Sequence, residues 1–375
     1  MIISRTPFRI SFFGGGTDYP VWYRQHGGAV LATTIDKYCY LTCRHLPPFF
    51  EHKFHIVYSV VESCQSVDEI RHPSVRECLR YMNVRRGVEI HHDGDLPARS
   101  GMGSSSAFTV GLLHALHALH GLMPSKADLA TMSLEIEQEV LKEAVGSQDQ
   151  VSAACGGFNK IVFPANGDFH VHPIILPSER MAELGKHLML FYTGIQRTAS
   201  TIATDVVKAI PETSHERTLR ALRSMVDEAI SILASGQDLL RFGQLLQEAW
   251  IAKRSLSPAV SNPSVEHMYD SACRAGAIGG KLTGAGGGGF MLLFVPPQKQ
   301  SQVREVLSRF LHVPFKFEAS GSQIVFFDRE QDYAAEELAR DSQSLVKFRE
   351  LDATNQVPMP PDSAHHVSTS RSVER

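Results

Sequence analysis

The segment Leu96-Pro97-Ala98-Arg99-Ser100-Gly101-Met102-Gly103-Ser104-Ser105-Ser106-Ala107 constrains this chain more than any other stretch. A strand-like run, Gly87-Val88-Glu89-Ile90-His91, leads toward it, and an apolar helical run over 108–119 follows. A glycine–serine turn that feeds a helix N-terminus is built for anions. The first-turn amides have no partner inside the helix, and the helix dipole favours negative charge there. Gly101 and Gly103 let the backbone approach a ligand closely, and the three serines supply hydroxyls for a phosphate or a metal. Taken alone, such a turn is also an ordinary serine cap, so the rest of the chain has to decide.

The 375 residues suggest two domains, each with enough chain for a core. A net charge of -3 gives no basic field, which argues against a nucleic-acid partner but leaves small acidic ligands open. The six cysteines fit no zinc spacing and read as buried thiols of a reducing compartment. The N-terminus lacks a signal-peptide pattern, and no apolar run reaches membrane-spanning length. A cytoplasmic protein without a membrane partner is expected.

Strand patterns cover 9–13, 29–44, 54–61, 158–163 and 169–174, the last two forming a hairpin across Asn166-Gly167. A helix is expected over 125–144, opened by the capping box Ser125-Lys126-Ala127-Asp128. A boundary is placed near 177–185. Beyond it come a strand at 187–193 and helices over 199–209, 216–234, 238–255 and 264–275. A strand at 290–295, a helix at 300–311 and a strand at 323–327 follow. This mixture is α+β. The segment from about residue 352 reads as a disordered tail.

On a helical wheel of 125–144, Leu129, Ala130, Leu134, Ile136, Val140 and Leu141 form the apolar arc, and Glu137 falls inside it. A carboxylate on an inward face is costly unless it is paired or holds a metal. Asp149 follows Gly146-Ser147-Gln148 and by itself would be a turn residue. Arg9 is the lone cation of an apolar strand. The run Gly276-Ala277-Ile278-Gly279-Gly280-Lys281 is not a P-loop, since three residues separate Gly276 from Gly280 and Leu282 follows the lysine. It reads instead as backbone packed tightly under the anion site.

Four segments in one order make the chain resemble the GHMP kinases (galactokinase, homoserine kinase, mevalonate kinase and phosphomevalonate kinase). They are Pro7-Phe8-Arg9-Ile10-Ser11-Phe12-Phe13-Gly14-Gly15-Gly16-Thr17-Asp18-Tyr19, the glycine–serine loop with Met102 in place of the family's Leu, Gly146-Ser147-Gln148-Asp149-Gln150, and Gly280-Lys281-Leu282-Thr283-Gly284-Ala285-Gly286-Gly287-Gly288-Gly289. The resemblance spans about residues 5–290. It implies a two-domain α+β GHMP kinase fold, with a ribosomal-protein-S5-domain-2-like N-terminal unit over 1–185 and a ferredoxin-like C-terminal unit over 186–330. Residues 331–375 would add a helix and the tail.

It also implies roles. ATP would bind through Pro97, Gly101, Met102, Gly103, Ser104, Ser105, Ser106, Gly284, Gly286 and Gly287. Asp149 would take the acceptor's proton, and Arg9 would pair with it or stabilise charge on the transferring group. Ser105 and Glu137 would hold Mg2+. Gly15, Gly16, Thr17, Asp18, Asp149 and Arg197 would meet the substrate. Thr17-Asp18-Tyr19 resembles the sugar-contacting element of galactokinase, but Gly15 and Gly16 replace its Glu and His. That change opens space and lifts a repulsion against a phosphorylated sugar.

Within the family the chain is most similar to members that phosphorylate C1 of D-glycero-D-manno-heptose 7-phosphate, on the way to a nucleotide-activated heptose for surface polysaccharide. Supporting segments are Leu46-Pro47-Pro48-Phe49-Phe50-Glu51-His52-Lys53 and Tyr192-Thr193-Gly194-Ile195-Gln196-Arg197-Thr198-Ala199. Cations for the 7-phosphate would come from Arg44, Lys53, Arg197 and Arg254. A kinase of fucose, galactose or an aminosugar, a non-catalytic sugar or nucleotide sensor, and a decarboxylase of the superfamily remain alternatives. A homodimer is compatible with the sequence.

Overall fold

The computed structural model describes residues 1–98, 100–195, 213–328 and 333–341. Two long antiparallel strands, β1 (Ile2–Phe13) and β2 (Gly28–His45), form its spine. In β1 successive side chains face opposite ways. Phe8, Ile10 and Phe12 therefore fill one layer, while Arg9 and Ser11 turn to the other. The pairing shifts register between Pro7 and Arg9 and again between Ser11 and Phe13. Such irregularities re-aim side chains, and here they flank Arg9.

β2 is long enough to carry several partners along one edge. Its first half pairs with β6 (Phe158–Phe163) and its second half with β5 (Val88–Gly94). β3 (Phe54–Val57) runs parallel to β5 and forms a hairpin with β4 (Val61–Cys64). The strand expected over 54–61 is therefore two strands, because the chain reverses at residues 58–60. β7 (His170–Pro173) completes the expected hairpin with β6. The helix Ser104–Leu119 packs against β1 and β2, where the Ser4 hydroxyl donates to the Gly111 carbonyl at 2.8 Å.

A four-stranded sheet forms the second unit. It contains β8 (Leu188–Tyr192), β9 (Gly279–Leu282), β10 (Phe290–Phe294) and β11 (Leu311–His312), in the order β11-β8-β10-β9. The helix Leu240–Arg254 packs on β9, and the helix Thr213–Ala234 packs on Leu240–Arg254 and on β1 and β2 of the first sheet; the helix Pro263–Arg274 follows. The segment 177–185, where a boundary is expected, lies in the helix Ser178–His187, which buries Leu184. The helix expected over 300–311 stops at Val306, and Leu311–His312 pairs with β8. The chain then returns to the first unit. β12 (Phe317–Glu318) pairs with β2 and β13 (Gln323–Phe327) with β1. Those strands fall within the 186–330 segment but belong to the first sheet.

Four of the cysteines are buried and two half-buried, with no disulfide among the described residues. Among those residues no helix is long and apolar enough to cross a membrane. The helix expected over 199–209, Arg197 and the C-terminal tail lie outside the described residues.

Candidate active site

The glycine–serine loop ends as its residues require. Gly101 and Gly103 take φ of 78° and 76°, and Gly103 is the left-handed cap of the helix Ser104–Leu119. A side chain at Gly103 would press on Arg9 and on the Asp149 carboxylate, 3.3 and 3.4 Å from its Cβ. The loop thus closes directly over these two residues. Met102 is buried, and its carbonyl accepts from the Arg9 backbone N–H at 3.1 Å. Pro97 and Ser105 are exposed.

The third glycine-rich segment backs the loop. A Cβ on Gly284 would lie 2.6 Å from Gly101 Cα, and one on Gly289 would lie 2.1 Å from the Ser100 carbonyl oxygen. Only bare backbone fits so close. Gly286 and Gly287 face elsewhere: the Gly287 N–H donates to the Val260 carbonyl, and Asn262 Nδ2 donates to the Gly287 carbonyl. Of the three glycines of this segment expected at the nucleotide, Gly284 is the one that touches the loop, while the other two fix the turn behind it.

Three consecutive side chains at the start of the short helix Gln148–Cys155 reach three different groups. Gln148 Nε2 donates to Asp18 Oδ2 at 2.9 Å. Asp149 accepts a bidentate pair from Arg9, Nε at 2.7 Å and a terminal nitrogen at 2.8 Å. Gln150 Nε2 donates to Glu137 Oε2. The remaining guanidinium nitrogen of Arg9 donates to the Gly101 carbonyl at 2.8 Å. Arg9 therefore ties the base candidate to the loop. Its side chain is 4% exposed, whereas that of Asp149 is 23% exposed and within a ligand's reach.

Asp18 is buried, and its Oδ1 accepts from the Gly16 N–H at 2.9 Å. Burial pushes its pKa up, and the nearby Asp149 charge adds to this. Among the described residues a Cβ at Gly15 would meet only Ser11 Oγ at 3.7 Å and Gln148 Nε2 at 3.8 Å, and Ser11 Oγ and Gln148 Oε1 are buried there without a partner. Thr17 is buried, and its single hydroxyl hydrogen is shared between the Gly14 and Ala29 carbonyls while its oxygen accepts from the Ala29 N–H, so the hydroxyl is satisfied inside the fold.

The capping box at Ser125 and Asp128 forms as expected. The α-helix Lys126–Leu134 then widens into a π-helical turn, Glu135–Val140, of the kind found at functional sites. The added residue changes the phase of the wheel. Glu137 is fully buried as expected, but Val140 of the supposed apolar arc is exposed. Ser106, not Ser105, meets Glu137, donating to Oε2 at 2.9 Å. Burial raises the Glu137 pKa to about 7, against hydrogen bonds from Thr109, Ser106 and Gln150 that lower it. Among the described residues Glu137 Oε1 and Gln150 Oε1 are buried acceptors without a partner. These two oxygens fit a cation that completes its shell with water and phosphate. Among the described residues no cluster of three His, Cys, Asp or Glu could hold a metal alone.

Arg44 pairs with Glu89 and Arg254 with Glu266, while Lys53 lines a separate surface pocket with His52 and Arg340. Two site cations escaped the sequence reading. Lys281 is buried in β9 and donates to the Phe12 carbonyl at 3.0 Å. Lys253, in the last turn of Leu240–Arg254, donates to the Gly284 carbonyl. Nothing in the sequence separates Lys253 from its neighbour Arg254.

Residues 71–157 match the family model of the GHMP kinase N-terminal domain, and residues 218–313 match that of the C-terminal domain. The chain is 30% identical over 319 residues to a D-glycero-alpha-D-manno-heptose 7-phosphate kinase of Campylobacter jejuni, covering 82% of this chain and 93% of that protein. It is 26% identical over 325 residues to a mevalonate kinase of Pyrococcus abyssi, covering 80% and 90%. In fold it is similar to the crystal structure of a D-glycero-D-manno-heptose 1-phosphate kinase from Bacteroides thetaiotaomicron. The TM-score there is 0.72 at 24% identity, over 88% of this chain and 100% of that one. With the loop, the Arg9–Asp149 pair and the glycine backing assembled at one place, this chain belongs to the GHMP kinases and is a phosphotransferase with an alcohol group as acceptor.

Proposed function

We propose that the protein transfers the terminal phosphoryl group of ATP to the C1 hydroxyl of D-glycero-D-manno-heptose 7-phosphate. The observation that carries the transfer chemistry is Asp149, clamped by Arg9 immediately under Gly103 at the helix N-terminus. The loop amides and helix dipole hold the phosphates. Asp149 orients the acceptor hydroxyl and takes its proton as the new O–P bond forms. Arg9 fixes the carboxylate in place, so positioning supplies much of the catalysis.

The sugar reading rests on Asp18. A buried carboxylate beside Asp149, with no side chain at Gly15, suits two neighbouring hydroxyls. The heptose phosphate follows from similarity to the Campylobacter jejuni protein, whose name specifies it. Glu137 and a serine of the loop, Ser105 or Ser106, would hold Mg2+, which when bound offsets the charge of the triphosphate.

The test is ADP release with ATP and Mg2+ across D-glycero-D-manno-heptose 7-phosphate, mannose 6-phosphate, galactose, fucose and N-acetylhexosamines. Strong turnover with the heptose phosphate alone is expected. Turnover only with a free sugar would keep Asp149 as the base and discard the phosphorylated substrate. No turnover with any of them would favour a sensor.

A further inference from the structure

Three cations, Arg9 from β1, Lys253 from the helix Leu240–Arg254 and Lys281 from β9, converge on two carboxylates, Asp18 and Asp149. The charges of Arg9, Asp18 and Asp149 act on Lys253, and those of Lys253, Arg9 and Asp18 act on Lys281. Burial pushes Asp18 up and both lysines down, Lys281 furthest, so the cluster loses charge of both signs and Arg9 and Lys253 are left as its main cations. Two of the cations are already committed. Arg9 spends its guanidinium on Asp149 and Gly101, and Lys281 is buried on the Phe12 carbonyl.

Lys253 is the exception. It is half-buried, and an ammonium carries three donors. One donor goes to the Gly284 carbonyl. Among the described residues the other two meet no acceptor. Arg254 turns away to Glu266 and the Trp250 ring, so the two neighbours face different surroundings. Gly284 lies against Gly101 of the loop, which puts the Lys253 anchor on the nucleotide side of the two carboxylates.

We propose that Lys253 is a catalytic residue that binds the phosphoryl group in transit between ATP and the acceptor. This rests on the transfer reaction proposed above but not on which sugar accepts. The acceptor oxygen bonds to the terminal phosphorus, its proton passes to Asp149, and the bond to the bridging oxygen breaks with its electron pair left on ADP. Lys253 neither gains nor loses a proton. It donates to phosphoryl oxygens whose charge is uncompensated while the group is between partners.

Lys253→Met is expected to lower kcat about 10²- to 10³-fold, the scale for losing one aimed donor, with KM for both substrates within about threefold. A raised KM for a sugar phosphate with kcat intact would overturn the proposal and make Lys253 the cation for the substrate's own phosphate. Burial and Arg9 lower the Lys253 pKa to about 8, while Asp18 and Asp149 oppose this. Wild-type kcat/KM should therefore fall roughly 20-fold from pH 7.5 to 9.5 as the free enzyme's ammonium is lost, and Lys253→Arg should lack that fall because its side chain stays charged. An alkaline limb unchanged in Lys253→Arg would overturn the proposal.

One arm needs no acceptor. ADP with aluminium fluoride mimics the group in flight, and calorimetry compares it with ADP alone. Lys253→Met should bind ADP normally and lose at least about tenfold in the gain from fluoroaluminate. An equal gain in both proteins sinks the idea. If this arm succeeds while every sugar fails, the substrate assignment is wrong and Lys253 stands.

Discussion

Removing the charge of Glu137 should abolish a specific part of the protein's pH-dependent stability. The carboxyl is fully buried, and its pKa rises from an ordinary 4.5 to about 7. Below pH 4.5 it is protonated in the folded and unfolded chain alike. Between 4.5 and 7 the unfolded chain ionises while the folded one holds its proton, so stability falls with rising pH. At about 1.4 kcal/mol per pKa unit, the loss is complete above pH 7 and amounts to about 3 kcal/mol.

Glu137→Gln keeps the acceptor for Ser106 but cannot ionise. Its new amide has a cost of its own, which is the same at every pH. The informative quantity is therefore the change in unfolding free energy between pH 5 and pH 8.5, compared between wild type and variant. Asp18 and Glu143 are also raised by burial and contribute to both curves, so they cancel. The assay is urea unfolding in the presence of a chelator. Wild type should lose about 2.5 kcal/mol more than the variant over that range, since a little of the loss is already present at pH 5. Added Mg2+ and ADP should flatten the wild-type curve, since a cation binds the ionised carboxylate. Parallel curves in chelator would refute the reasoning and show that Glu137 ionises in the fold at no extra cost.

Asp149→Asn should lower turnover about 10²- to 10⁴-fold while ADP affinity, read by calorimetry, stays within about threefold; near-wild-type turnover would remove it as the base. Gly146→Ala would set a Cβ 2.0 Å from Asp18 Oδ2 and so displace that carboxylate. Steady-state kinetics should then show the sugar KM up at least about tenfold with ADP binding unchanged, since Asp18 faces the acceptor side. Thr17→Val strands the Ala29 N–H and removes the hydroxyl from the Ala29 carbonyl, while the Gly14 carbonyl keeps the backbone N–H of residue 17; this should cost about 2 kcal/mol in urea unfolding. Unchanged stability with a raised sugar KM would return Thr17 to the substrate.

Much of the site was legible because its requirements are local. A glycine at φ of 76° capping a helix, a capping box at Ser125 and a lone arginine among strand aromatics each announce themselves within a few residues. Glu137 stands out by its place on the helical wheel, whereas Asp149 and Asp18 are marked only by segments that resemble the family's. Burial of Glu137 followed from helical phase because the phase holds up to that residue. It failed at Val140, where the π-helical turn adds a residue that no periodicity rule anticipates.

The sequence by itself determined the order of the motifs, the family, the loop conformation and the chemical type of each group. Local backbone sterics and capping dictate these whatever the rest of the chain does. Tertiary structure alone decided that Thr17 turns inward, that Ser106 rather than Ser105 meets Glu137, and that Lys253 rather than Arg254 joins Arg9 and Lys281. It also returned β13 to pair with β1, more than three hundred residues away in sequence. Each of these depends on how separate elements close on one another, and a side chain's partner across such a closure leaves no periodic trace in its own neighbourhood.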